Sequence, residues 1–265
     1  MDETDPPAPH PRPPAHPCAD RLERWRRLAR RLPGGMALGR WLHESADPTL
    51  RAVRETRRSH EGRGLLQPFP DTWEDRYPEL FAALAVKLAA IERPRVLSFG
   101  CSDGAELRSL RRLMPRAELV GIELNRRALA QARAHPAAAA DPAMHFIEAA
   151  SSAALPTASF DAVLALAVFR HGELEARRPA SCARVLPFAT FDAALADLDA
   201  RLKPGGWLAV WNAHFRVADS AVAPRYAGHS LPFTAAAPQT LAYGRDDRRI
   251  DGVRGDAVLF EKRTG

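Results

Sequence analysis

At 265 residues, 46% of them hydrophobic, the chain has room for one α/β domain with appendages. No apolar run approaches the ~20 residues that a bilayer span needs, and the first residues are acidic and proline-rich where a secretory signal needs a basic end and an apolar core. A soluble, cytoplasmic protein is expected. The net charge of +6 is local, since residues 20–63 carry twelve arginines against six acids while residues 1–19 carry three acids against Arg12. A patch of that kind is able to contact nucleic-acid phosphates. Yet 35 arginines stand against three lysines, alongside many alanines and prolines, which points to a coding bias. Cys18, Cys101 and Cys182 are widely spaced and fit neither a disulfide framework nor a CxxC zinc site, so a reducing compartment and no bound metal are expected.

Residues 1–19 hold seven prolines in the first seventeen positions and read as a disordered tail. Residues 20–63 read as a basic helical extension. Leu22, Trp25, Leu28, Ala29 and Leu32 share one helical face that Pro33, Gly34 and Gly35 end, and a second helix is predicted over 48–58 after Asp47. Within the remainder, 64–265, a covering segment over 64–90 mixes aromatics, prolines and charges, then enters a helix predicted over 78–91. The core, 91–265, alternates: strands over 95–99, 117–123, 145–148, 160–169, 207–213 and 257–262, helices over 105–113, 126–135 and 191–202. Strands separated by helices predict a doubly wound, mostly parallel sheet with helices on both faces.

The most informative stretch is RVLSFGCSDGAELRSLRRL, where an apolar strand runs into Gly100, crosses Cys101, Ser102 and Asp103, and reaches Gly104 at the start of a helix. Glycines suit a backbone that turns sharply beside a ligand, and amides at a helix start face a ligand's polar groups. Nineteen residues past Gly104, the second strand ends on Glu123, where a carboxylate accepts hydrogen bonds from a ribose diol. A plain strand-to-helix turn and a solvated strand-end acid are the alternatives at these two places.

Together these segments resemble the class I S-adenosylmethionine-dependent methyltransferases, over about residues 68–262. VLSFGCSDG is similar to that family's first motif, with Ser98 where an acid is more usual. GIELN resembles the second motif, FIEAASSAALP the adenine-contacting segment with Ser151 in place of its usual Asp, and LKPGG the helix-to-strand-five turn. The resemblance implies a Rossmann-like fold of seven strands, the last antiparallel. It also implies S-adenosyl-L-methionine as cofactor, held by Gly100, Cys101, Ser102, Asp103, Gly104, Glu123, Leu124 and Ser151. LLQPFPDTWEDRYPELF is similar to the region upstream of the first motif in uncharacterised bacterial members. Arg76 is therefore expected on the methionine carboxylate and Trp73 and Tyr77 in a cover over the site, unless those two aromatics pack against each other at their i, i+4 spacing.

Methyl transfer needs alignment more than catalytic groups. The residues beyond strand four are where a base would stand, and His171 is the candidate, with a local loop role as its alternative. Asn212 and His214 are candidates for acceptor contacts, and the acceptor is expected to be a small molecule. Three rival readings remain. GCSDG also spells GxSxG, a hydrolase elbow with Ser102 as nucleophile, although the ninety-odd residues before it do not supply the strands that elbow follows. A nicotinamide-dependent oxidoreductase lacks its third glycine here. A noncatalytic S-adenosylmethionine-binding module of the same fold is the third, kept open by the altered first motif and adenine-contacting segment.

Overall fold

The computed structural model describes residues 47–59, 66–232, 241–252 and 257–264. The predicted tail, the 20–32 helix and most of the basic extension, together with Cys18, lie outside them. Two compact units divide the chain, 1–51 and 52–265, and of the first only 47–51 are described.

The predicted 48–58 helix is α1, Pro48–Ser59, and its first turn is capped by Asp47, whose carboxylate accepts from the N–H groups of Thr49 and Leu50. The covering segment leads into α2, Pro78–Leu88. This helix is shorter than predicted because Ala89 closes it with a backbone bond to the Val86 carbonyl. Strands β1, Arg95–Phe99, β2, Glu118–Glu123, and β3, Met144–Glu148, then alternate with α3, Ala105–Leu113, α4, Arg126–Ala134, and the short α5, Pro136–Ala139. After β4, Phe160–Leu166, come α6, Gly172–Arg177, α7, Phe188–Arg201, and β5, Leu202–Trp211. Strands β6, Tyr226–Ser230, and β9, Ala257–Lys262, complete the main sheet, and β7, Ala242–Tyr243, pairs with β8, Arg249–Ile250.

The seven-stranded sheet runs β3-β2-β1-β4-β5-β9-β6. Neighbours from β3 through β5 are parallel, and β9 lies antiparallel between β5 and β6. The expected seven-stranded, doubly wound sheet with an antiparallel last strand is thus what forms. Side chains alternate across it. Leu97, Val120, Val163 and Leu208 pack on one face with Phe191, Leu195 and Leu198 of α7. On the other face Val96, Leu119 and Ala162 meet Leu80, Phe81 and Leu84 of α2 and Leu107 and Leu110 of α3. Both faces being covered explains why β4 is buried at all seven positions and reads as an apolar run interrupted by Asp161, whose carboxylate accepts from Arg95 N and Lys203 Nζ. Each fully buried Leu or Phe contributes about 1.5–3 kcal/mol.

Two local readings change. LKPGG lies inside β5 rather than before it. Pairing with β4 jumps from Phe160↔Leu202 to Ala162↔Trp207, so the intervening residues bulge, with Gly205 at φ +74°. The predicted 160–169 strand stops at Leu166, and the backbone beyond it turns out of the sheet at Ala167, φ +59°.

Candidate active site

Strand order reverses at β1, with β2 and β3 on one side and β4 and β5 on the other, and ligands of open α/β sheets bind at the carboxyl ends of strands at that point. A cavity of about 330 Å³ opens there. Its wall includes Phe99, Gly100 and Ser102 at the end of β1, Ile122 to Asn125 at the end of β2, and Leu166 to Val168 at the end of β4. The 66–72 segment and Arg76 line the facing side.

Gly100 adopts φ +78°, and a Cβ there would lie 2.9 Å from Val168 Cγ2. The turn therefore needs glycine for its own backbone and for the neighbouring strand connection. Gly121 has a different reason: a Cβ would sit 2.6 Å from Cys101 Sγ. Cys101 is thus a buried packing residue that points at β2, and it does not line the cavity. Burial pushes its thiol well above the ordinary range. Asp103 and Gly104 also stay outside the wall, the Asp103 carboxylate accepting from Ala105 N at 3.0 Å at the start of α3.

Glu123 lines the cavity and is gripped by main chain. Its Oε2 accepts from Ser102 N at 2.8 Å, and its Oε1 accepts from Leu124 N and Asn125 N, both at 2.7 Å. Burial pushes its carboxyl up, while those three N–H groups pull it down. An ionised carboxylate offers about four lone-pair sites, so three amides leave Oε2 with a site for a hydroxyl. Asn125, next in line, caps α4 through Oδ1, accepting from Arg127 N and Ala128 N at 3.1 Å.

The covering segment is tied down by side chains. Ser102 Oγ donates to the Pro70 carbonyl at 2.7 Å, and Asp75 N donates to Ser109 Oγ at 2.9 Å. Arg108 and Arg112 of α3 hold Glu74 at 2.6 and 2.7 Å, and Arg112 also reaches Asp75 at 2.7 Å. Arg76 is placed by this clamp, with Nη1 donating to the Asp71 carbonyl and its guanidinium 4.5 Å from the centre of the Trp73 ring and 5.2 Å from that of Tyr77. Trp73 itself is half exposed and outside the cavity wall. Tyr77 is buried, stacked on Trp211 at 5.8 Å, and its hydroxyl accepts from Asn212 Nδ2 at 2.9 Å. Those two residues serve each other rather than the cavity.

Beyond β4, the cavity is lined by Arg170, Gly172 and Glu175, with Arg170 Nε donating to Glu175 at 2.9 Å. Gln67 of the covering segment reaches across to the Arg170 carbonyl. His171 is not part of the wall. Its Nδ1 accepts from Glu173 N and caps α6, and burial holds the imidazole down to about 4, so it is neutral at pH 7. His214 is fully buried, with Nδ1 2.8 Å from the Leu241 carbonyl, and burial lowers its pKa too. In the predicted adenine segment Ala149 and Ala150 line the cavity, whereas Ser151 is exposed and its Oγ accepts from Ala153 N.

Of the sequence-selected residues, the fold brings Arg76, Gly100, Ser102, Glu123 and Leu124 to one cavity. Glu106, Arg170 and Glu175 join them without having been singled out. Glu106 was hidden inside the regular pattern of α3. As for the hydrolase reading, Ser102 stands in the left-handed region at φ +51°, as an elbow serine does, but its hydroxyl proton goes to the Pro70 carbonyl, not to an imidazole. Among the described residues no group of three His, Cys, Asp or Glu is placed to hold a metal ion, and no helix is long and apolar enough to cross a membrane.

Residues 97–208 match the family described as Methyltransferase domain. No curated protein matches the sequence. Among solved structures, the plantazolicin methyltransferase BpumL in complex with SAH is 16% identical over 62% of this chain and 53% of its own, with a TM-score of 0.37. YjhP from E. coli is 21% identical over 60% and 55%, with a TM-score of 0.36. YcgJ from Bacillus subtilis is 15% identical over 52% and 51%, with a TM-score of 0.38. The chain thus spans about half the length of these structures, and likenesses this distant carry nothing about its acceptor.

Proposed function

We propose, from the premise that residues 97–208 are a class I S-adenosylmethionine-dependent methyltransferase domain, that this chain transfers the cofactor's methyl group to a small-molecule acceptor. The observation that carries the reading is the convergence of Gly100, Ser102, Glu123, Leu124 and Arg76 on one cavity at the point where strand order reverses. These residues fit the cofactor part by part. Glu123, held ready by three amides, accepts from the ribose. Leu124 with Ala149 and Ala150 flanks the adenine. Arg76 offers its remaining N–H donors to the methionine carboxylate.

Bound S-adenosylmethionine supplies a methyl group already activated on a sulfonium. What remains for the protein is to align an acceptor with it and to exclude water. Leu66, Pro68, Phe69 and Pro70 line the covering side with apolar surface, and the Arg170–Glu175 pair faces the space beyond β4. We assign acceptor contacts to that pair in preference to His171, Asn212 and His214, none of which lines the cavity, and each of which gives a side-chain nitrogen to a bond within the protein. Glu175 is the carboxylate on that side of the cavity, and it is assigned to take a proton from a hydroxyl or ammonium acceptor.

The test has two stages. Titration calorimetry of the full chain with S-adenosylmethionine and S-adenosylhomocysteine should show saturable binding of both. Turnover with a panel of small-molecule acceptors then separates an enzyme from a binding module, and Glu175→Gln should lower that turnover without weakening cofactor binding.

A further inference from the structure

Glu106 stands in the first turn of α3, 6% exposed, and lines the same cavity. One hydrogen bond to its carboxylate is recorded, from Ser98 Oγ to Oε2 at 2.9 Å. Oε1 has no bond to a described residue, yet it is not among the enclosed polar atoms that lack a partner, so it meets open space. The open space beside Glu106 is the cavity. A carboxylate taken out of water and left with a single hydroxyl partner is costly unless a cation comes to it. Arg76 is near enough to favour the charged form, but its Nη1 is engaged on the Asp71 carbonyl and its plane lies against Trp73 and Tyr77.

With Glu123 engaged by three amides and Arg170 paired with Glu175, the pairing of Glu106 with Arg76 on the same cavity matches a ligand whose ammonium and carboxylate share a carbon atom. We propose that Glu106 binds the α-ammonium of the cofactor's methionine end while Arg76 takes its carboxylate. This rests on the cofactor reading above and adds a residue to it.

A second consequence comes from the state of the group before binding. Burial pushes the Glu106 carboxyl up to about 7, opposed by the Ser98 hydroxyl and by Arg76. The group is therefore partly protonated in the free chain at neutral pH. An ammonium in contact requires the ionised form, so binding sends that proton to the buffer. The other titratable groups that interact with Glu106 are Tyr77 and Cys101, both raised by burial and neutral between pH 6 and 8.

The experiment is calorimetric titration of the full chain with S-adenosylhomocysteine and, separately, with 5′-methylthioadenosine, which has the nucleoside and lacks the amino-acid end. Both titrations are run from pH 6 to 8 in buffers of different ionisation heat. S-adenosylhomocysteine should release a fraction of a proton near pH 7 and bind about tenfold more weakly at pH 6 than at pH 8. 5′-Methylthioadenosine should show neither effect. Glu106→Gln should weaken S-adenosylhomocysteine by roughly ten- to a hundredfold, abolish its proton release and leave 5′-methylthioadenosine unchanged. Equal weakening of both ligands makes Glu106 a shaper of the cavity and overturns the proposal. So does pH-independent binding of S-adenosylhomocysteine by the parent chain, a result that needs no variant to fold. If the parent chain binds 5′-methylthioadenosine but not S-adenosylhomocysteine, the amino-acid subsite is wrong. If it binds neither, the cofactor reading itself has failed.

Discussion

The wall of the cavity that follows β1 and β2 is held by main chain, since Glu123 gathers three N–H groups within two residues of itself or across one strand, and Gly100 turns against Val168. The facing wall is held by side chains that are distant in sequence: Ser102 on Pro70, Arg108 and Arg112 on Glu74, Gln67 on Arg170. The first kind of wall is a property of a local turn and can be read from a short motif. The second exists only after the chain has folded, and its residues carry no mark in the sequence. The cofactor assignment rests mostly on the first wall and the acceptor on the second, which is why one is specific and the other is given only as a chemical class.

The largest effect should come from Glu123→Ala. Loss of a charge-assisted bond to the ribose predicts about ten- to a hundredfold weaker S-adenosylhomocysteine binding. A strand-end acid that was merely exposed would contribute little to stability. The grip of Glu123 on the N–H groups of Ser102, Leu124 and Asn125 changes that, and losing it should also cost about 1–3 kcal/mol of stability. Glu123→Gln should lose less of both. Calorimetry and denaturant unfolding check the two parts, and a Glu123→Ala chain that is as stable as the parent would mean that the main-chain wall is not held as described.

Next is Gly100→Ala, which meets Val168 and a left-handed backbone at once and should cost about 1–3 kcal/mol. The obstacle is protein, not ligand, so loss of binding in this variant would not by itself report a ligand clash. Pairing it with Val168→Ala should recover the steric part of the loss and leave the backbone part. No recovery in the double variant would place the obstacle elsewhere.

Much of the fold was legible because both faces of the sheet are covered, which turns β1, β2, β4 and β5 into apolar runs flanked by helical patterns. Strand β6 was not, since Tyr226 is its one buried residue and an edge strand of that kind has no alternation to show. Within the site, Gly100 and Glu123 were marked by their spacing, whereas Ser102 entered only through the family resemblance. Polar residues placed after strands proved ambiguous by type: His171 caps a helix, His214 binds a carbonyl in the core, and Asn212 holds Tyr77. Glu106 was illegible for the opposite reason, because an acid in the first turn of a helix is ordinary there whatever it faces.

His171→Asn gives a smaller effect, confined to low pH. The folded imidazole titrates at about 4 and the unfolded one near 6.5, so below pH 6.5 the unfolded chain takes up the proton first. This group's contribution is therefore steady above pH 6.5 and is lost as pH falls towards 4. Asparagine caps a helix equally well, so the variant should lose less stability over that window and should bind S-adenosylhomocysteine as the parent does. An unchanged pH profile would contradict the buried, neutral state of this ring. Smallest of all, Ser151→Ala should leave cofactor affinity within about twofold, because Ala149 and Ala150 and not Ser151 line the cavity. A clear loss would put the serine back on the adenine.

The central claim, that this cavity holds S-adenosylmethionine, is tested most directly by titrating the full chain with S-adenosylhomocysteine while following both heat and thermal unfolding. The account predicts saturable binding of one molecule per chain, with a melting temperature that rises with ligand concentration and a rise that is diminished in Glu123→Gln. A folded chain that gives no heat and no shift in melting temperature at any attainable concentration would contradict it.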